Sequence, residues 1–120
     1  LLGAPQTDVK DELSLSEGLS LAQQGKLQLI DVRPLEEFQS GHLAGALSMP
    51  LASLSETITK LDSETPAAAY CRSPYCFLAR QAQEIFAKHG KTLYVLSDGV
   101  QDWKASSPEL LTVSTDSEES

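Results

Sequence analysis

The chain is predicted to fold as an α/β domain, a parallel sheet covered by helices on both faces. Three observations predict it. Apolar strand-like runs alternate with segments of helical spacing, and the links between them are short. The strand-like runs, such as Leu27-Gln28-Leu29-Ile30-Asp31-Val32 and Thr92-Leu93-Tyr94-Val95-Leu96, suit strands buried on both faces. The length of 120 residues and the 41% hydrophobic fraction fit one ordinary core.

The elements follow in order. Ser16 is expected to cap a short helix running to Gln24, with Gly25 as its stop. The run 27–32 is a strand ending at Arg33-Pro34. Pro34 opens a helical turn through Phe38, which Gly41 ends. Ala46–Met49 is a short strand before Pro50. Leu54, Ile58 and Leu61 recur at i, i+4, i+7, so residues 53–61 read as a helix. Ala67-Ala68-Ala69-Tyr70 is a small-residue strand that stops at Cys71. Leu78, Ala82, Ile85 and Phe86 give helical spacing over about 76–89, closed by Gly90. The run 92–96 is the most strand-like in the chain. Asp98 is then expected to cap a last helix through about Lys104. In sheets of this kind chemistry sits at the carboxyl ends of the strands. Those ends carry Asp31-Val32-Arg33, Cys71-Arg72 and Ser97-Asp98-Gly99.

The formal net charge is −8, and it is unevenly placed. Residues 107–120 hold Glu109, Asp116, Glu118 and Glu119 with no Lys or Arg, whereas residues 15–106 carry ten acids and eight bases. Residues 107–120 are therefore expected to be an acidic disordered tail, residues 1–10 a flexible linker, and 11–106 the folded domain. The acidic balance argues against a nucleic-acid surface or an anionic membrane surface in this chain. No apolar run approaches the ~20 residues of a membrane span. Two cysteines rule out a disulfide framework, and the spacing of Cys and His predicts no metal site. No cofactor is implied. The chain starts at Leu1 with no Met and no export signal, and is expected to be part of something longer.

The segment Tyr70-Cys71-Arg72-Ser73-Pro74-Tyr75-Cys76-Phe77 holds the most chemistry. A cysteine between a buried strand and a helix lies where loop N–H groups and a helix N-terminus can converge on an anion. Such donors lower a thiol's pKa, and Arg72 adds positive charge beside it. Cys71 so placed is a candidate thiolate nucleophile for an anionic substrate. A buried structural cysteine fits the same position, and the loop alone leaves both readings open.

Neighbouring segments add a resemblance. Leu29-Ile30-Asp31-Val32-Arg33, Glu36-Glu37-Phe38, Gly41-His42-Leu43-Ala44-Gly45-Ala46 and Met49-Pro50 resemble, in order, the motifs of the rhodanese family. Ser97-Asp98-Gly99-Val100-Gln101-Asp102-Trp103 is similar to the family's Gly-Gly-x-x-x-Trp segment, with Asp98 where Gly is usual. The resemblance spans about residues 13–106. It implies a three-layer fold with a central, mostly parallel five-stranded sheet. It also implies a six-residue active loop, Cys71 to Cys76, with Cys71 as nucleophile. The loop departs from the common pattern, carrying Cys76 where Arg is usual. The residue at the Cys-x5-Arg position of related phosphatases is Phe77, which argues against phosphatase or arsenate-reductase chemistry. The Cys-Arg-x-Pro-Tyr-Cys loop looks most like rhodanese domains fused to ArsR-type transcriptional regulators, which would place a DNA-binding domain upstream.

What this resemblance implies is sulfur transfer. Cys71 would take the sulfane sulfur of a small donor, thiosulfate or a persulfide, and pass it to a thiol or cyanide. The N–H groups of residues 72–76 would hold the persulfide, and Arg72 would attract the donor. Ser73 and Tyr75 offer hydroxyls, and Pro74 belongs to the same active, substrate-binding loop. Cys76 either resolves the persulfide into a disulfide or sulfur bridge, or only packs. Asp31 and Arg33 are expected to brace loops rather than react. His42 is expected to stabilise its turn by a hydrogen bond, and Trp103 to anchor the last helix. Two alternatives to an active enzyme stand beside it: a persulfide- or redox-sensing module of a regulator, and a catalytically idle interaction domain. A reactive thiol with no export signal suggests the cytoplasm.

Overall fold

A computed structural model describes residues 11–72 and 77–113. Five strands form one parallel sheet: β1 (Glu12–Leu13), β2 (Gln28–Asp31), β4 (Leu47–Ser48), β5 (Ala67–Tyr70) and β6 (Leu93–Leu96). Their order across the sheet is β1-β6-β5-β2-β4. From β2 the chain steps outward to β4, then returns to β5 on the opposite side and continues to β6. The topology therefore reverses between β2 and β5, and in open α/β sheets the carboxyl ends of the strands at such a reversal are where sites form.

Strand alternation sorts the core into two layers. Ala67 and Ala69 of β5, Ile30 of β2, and Leu93 and Val95 of β6 join one cluster. Ala68, Tyr70, Leu29 and Leu96 join the other. The first is covered by α3 (Leu54–Thr57) and α4 (Leu78–Lys88), through Leu54, Ala79, Ala82 and Phe86. The second is covered by α1 (Leu15–Gln23), α2 (Leu35–Ser40) and α5 (Val100–Ser106), through Phe38, Val100 and Trp103, with Leu19 and Ala22 packed against it. This is the predicted three-layer α/β fold. The three consecutive alanines of β5 let helices approach the middle of the sheet closely from both sides.

Several boundaries differ from expectation, each for a physical reason. The cap of α1 is Ser14, not Ser16. Ser14 Oγ accepts from the Glu17 N–H at 3.1 Å, while Glu17 Oε1 accepts from the Ser14 N–H at 3.0 Å. Only Ser14 has an acidic residue three positions on to complete this reciprocal pair. Residues 51–60 form a 3₁₀ turn (Leu51–Ser53), α3, and a second 3₁₀ turn (Ile58–Lys60), not one helix. At the start of α5 the carboxylate is Asp102, inside the helix, accepting the Gly99 N–H at 2.9 Å, and Asp98 is not the cap. Gly25 and Gly90 adopt φ of 74° and 72°, the left-handed conformation that stops α1 and α4.

The expected tail boundary also moves. Residues 107–113 hold a 3₁₀ turn (Pro108–Leu110) and β7 (Leu111–Thr112). β7 pairs antiparallel with β3 (His42–Leu43), matching His42 with Thr112 and Leu43 with Leu111. The chain after α5 thus returns to close the turn beside β2. Residues 1–10 and 114–120 lie outside the described residues. No helix among the described residues is long and apolar enough to cross a membrane.

Candidate functional site

The carboxyl ends of β2 and β5 are built on a buried ion pair. In-register Asp31 and Tyr70 end the two strands side by side. Arg33 folds back on Asp31, its Nε donating to Oδ1 at 2.9 Å and its Nη2 to Oδ2 at 2.6 Å. The Arg33 main-chain N–H also donates to Asp31 Oδ1 at 3.0 Å. Nη2 reaches on to the Gly41 carbonyl at 2.6 Å. The pair is dry, with side chains 5% and 0% exposed. Burial opposes the charge on Arg33, but the Asp31 carboxylate outweighs it and holds the guanidinium pKa above its ordinary value.

Tyr70 extends this brace. Its hydroxyl accepts the Leu43 N–H at 3.0 Å, which fixes the turn into β3. Burial and the neighbouring Asp31 charge push its phenol well above the usual range, so it stays neutral. Arg33 lies over the Tyr70 ring, 5.9 Å from the centroid, and Trp103 packs against that ring edge-on at 5.3 Å. His42 is buried on β3, stacked on Phe38 at 3.7 Å. Its Nδ1 lies 2.7 Å from the Phe38 carbonyl, which can only accept, so Nδ1 carries the proton. Asp31, Arg33 and His42 thus make hydrogen bonds to the main chain at Arg33, Gly41 and Phe38.

Cys71 follows Tyr70 directly and is 4% exposed. It continues the alternation of β5 and joins the layer under α4. It is disulfide-bonded in this structure. Its carbonyl accepts the Val100 N–H at 3.0 Å, and the Arg72 carbonyl accepts the Gln101 N–H at 2.8 Å. The first turn of α5 therefore grips two consecutive carbonyls at the loop entrance. Peptides whose carbonyls are held in this way are fixed in orientation at Cys71 and Arg72.

Arg72 pairs with a carboxylate of α2. Its guanidinium forks onto Glu37 of α2, with Nε to Oε1 at 2.7 Å and Nη2 to Oε2 at 2.8 Å. The side chains are 43% and 34% exposed. The hydrogen bonds from Arg72 hold Glu37 below the usual carboxylate range and raise Arg72 in turn. The fork joins Arg72 to a carboxylate 35 residues away. No local signal in the sequence marks that partnership, nor the grip of Val100 and Gln101 on the loop. Ser73, Pro74, Tyr75 and Cys76 lie outside the described residues.

A cysteine leaving the central strand of a parallel sheet, at its topological reversal and ahead of a helix, defines a class of strand-end thiol sites. Residues 14–106 match the Rhodanese-like domain family, and the chain belongs to it. It is 36% identical over 104 residues to the HTH-type transcriptional regulator Rv0324 of Mycobacterium tuberculosis, covering 87% of this chain and 44% of that one. The chain thus spans less than half the length of that regulator. It is 31% identical over 99 residues to the thiosulfate sulfurtransferase GlpE of Coxiella burnetii, covering 81% of this chain and 90% of that one. Among solved structures, the BH2092 protein of Bacillus halodurans superposes with a TM-score of 0.73 at 26% identity, over 83% of this chain and 75% of that one.

Proposed function

We propose that the domain is a sulfurtransferase working through a persulfide on Cys71. The observation that carries this is the placement of Cys71 at the carboxyl end of the central strand, with its carbonyl and that of Arg72 pinned by α5. The similarity to a thiosulfate sulfurtransferase over nearly its whole length supports it. A dithiol reductant first exchanges with the disulfide at Cys71 and leaves as its own disulfide, which frees the Cys71 thiolate. The thiolate then attacks the sulfane sulfur of thiosulfate. The sulfur–sulfur bond of the donor breaks, sulfite leaves with the bonding electrons, and Cys71 keeps one extra sulfur as a persulfide. A thiol or cyanide then removes that sulfur and regenerates the thiolate, which gives two-step kinetics. Loop N–H groups after Cys71 stabilise the persulfide charge in this scheme.

Intact mass spectrometry of the reduced, desalted protein after thiosulfate treatment tests the proposal. The expected result is a gain of one sulfur atom, lost on adding reductant and absent in Cys71→Ser. No gain, with no thiocyanate formed from thiosulfate and cyanide, would leave an idle interaction domain.

A second reading is favoured by the disulfide at Cys71 and by the regulator relative. The same thiol would report persulfide or oxidant to a DNA-binding domain elsewhere in a longer protein. In that case persulfide treatment alters DNA binding by the full-length chain, and Cys71→Ser abolishes the response. Unchanged DNA binding rejects this reading and leaves the enzyme.

A further inference from the structure

We infer that Glu37 is a specificity-determining residue that masks Arg72 and tilts the site from small dianions toward organic persulfides. The inference rests on the sulfurtransferase reading and concerns which donor that site accepts. Arg72 is the residue next to Cys71, and its charge would be the natural attraction for thiosulfate. Its fork is instead closed on the Glu37 carboxylate by two bonds of 2.7 and 2.8 Å. Paired at that distance, the two charges present an approaching ion with a dipole whose field decays faster than that of a lone cation. A doubly charged donor loses more from this masking than a donor with at most one charge.

The same end of the sheet offers something to an organic group. Leu35 opens the helix that carries Glu37 and is 48% exposed. Phe77 closes the nucleophile loop ahead of α4 and is 75% exposed. Leu35 follows β2 on the α2 side of the sheet and Phe77 precedes α4 on the other side, and they are two of the four large apolar side chains exposed among the described residues. An alkyl substituent gains by covering such surface, while thiosulfate has none to offer. The step is balanced for an alkyl hydropersulfide, R–S–SH. The Cys71 thiolate attacks the terminal sulfur, the donor's sulfur–sulfur bond breaks, and the thiolate R–S⁻ leaves. Cys71 then carries –S–SH, with the donor's proton.

The test measures second-order rates of persulfide loading on reduced protein by intact mass, with thiosulfate and with 2-hydroxyethyl hydropersulfide. In Glu37→Gln the thiosulfate-to-hydropersulfide rate ratio is expected to rise about threefold, and the rise should shrink in ~1 M salt. Removing the unmasked cation as well, in Glu37→Gln with Arg72→Gln, should return the ratio toward that of the parent protein. A ratio that stays within experimental error in Glu37→Gln overturns the inference. So does a raised ratio that survives loss of Arg72, since Glu37 would then act by its own repulsion. A merely structural Glu37 would slow both donors and leave the ratio and its salt dependence unmoved. A parent protein that loads no sulfur from either donor removes the sulfurtransferase reading and this inference with it. Loading without a change in ratio removes the inference alone.

Discussion

Two arginine–carboxylate forks stand at the same end of one sheet and do different work. Arg33–Asp31 is sealed, 5% and 0% exposed, and also ties in the Gly41 carbonyl. Arg72–Glu37 has nearly the same bond lengths but is 43% and 34% exposed. The bond geometry hardly separates them, whereas water does. In the dry fork each charge depends on its partner, because removing either strands the other in low dielectric. In the wet fork solvent can take over for either partner, so the pair adds little stability and is open to tuning. The first suits a brace beside Cys71, and the second suits the proposed control on what reaches it.

The largest effect that sharpens this contrast is on the buried fork. Asp31→Asn leaves the Arg33 charge uncompensated and is expected to lower stability by about 3–5 kcal/mol in urea unfolding. A loss under 1 kcal/mol there would erase the distinction between the forks. Next is Tyr70→Phe, which strands the buried Leu43 N–H and is expected to cost about 1–3 kcal/mol. If chemical denaturation shows no loss, Tyr70 is not part of the brace.

The smallest effect belongs to the exposed fork. Glu37→Gln should change stability by only about 0.2–1 kcal/mol at neutral pH. Because Arg72 lowers the Glu37 pKa below its ordinary 4.5, the folded state binds fewer protons than the unfolded one. The contribution is therefore present above about pH 4.5 and is lost as pH falls through the folded value. Unfolding curves of the parent and Glu37→Gln should converge in acid. A gap that widens in acid would contradict the pairing.

Legibility followed the length over which a pattern could repeat. β5 was readable residue for residue, because Ala67–Tyr70 is bounded by Pro66 and Cys71. β1, β3, β4 and β7 have two residues each, too few to show a period of two, and of these β4 alone was legible, from the Pro50 that follows it. β7 lay in a stretch whose acidic composition suggested a tail, but Leu110 and Leu111 pack on the core beside β3 and hold it. Ser14 and Ser16 offer the same side chain, and only the reach of Glu17 distinguishes them.

The site divided in the same way. By itself the sequence determined the alternating α/β architecture and the rank of Cys71 at a strand end. It also determined the nearness of Asp31 to Arg33, because period and local spacing are properties of neighbouring residues. Only the tertiary structure decided where Arg72 points, what Tyr70 holds, and which N–H groups grip the Cys71 and Arg72 carbonyls. Those contacts join residues about 27–35 positions apart. Their energies depend on burial and angle, which exist only once the layers have closed on the sheet.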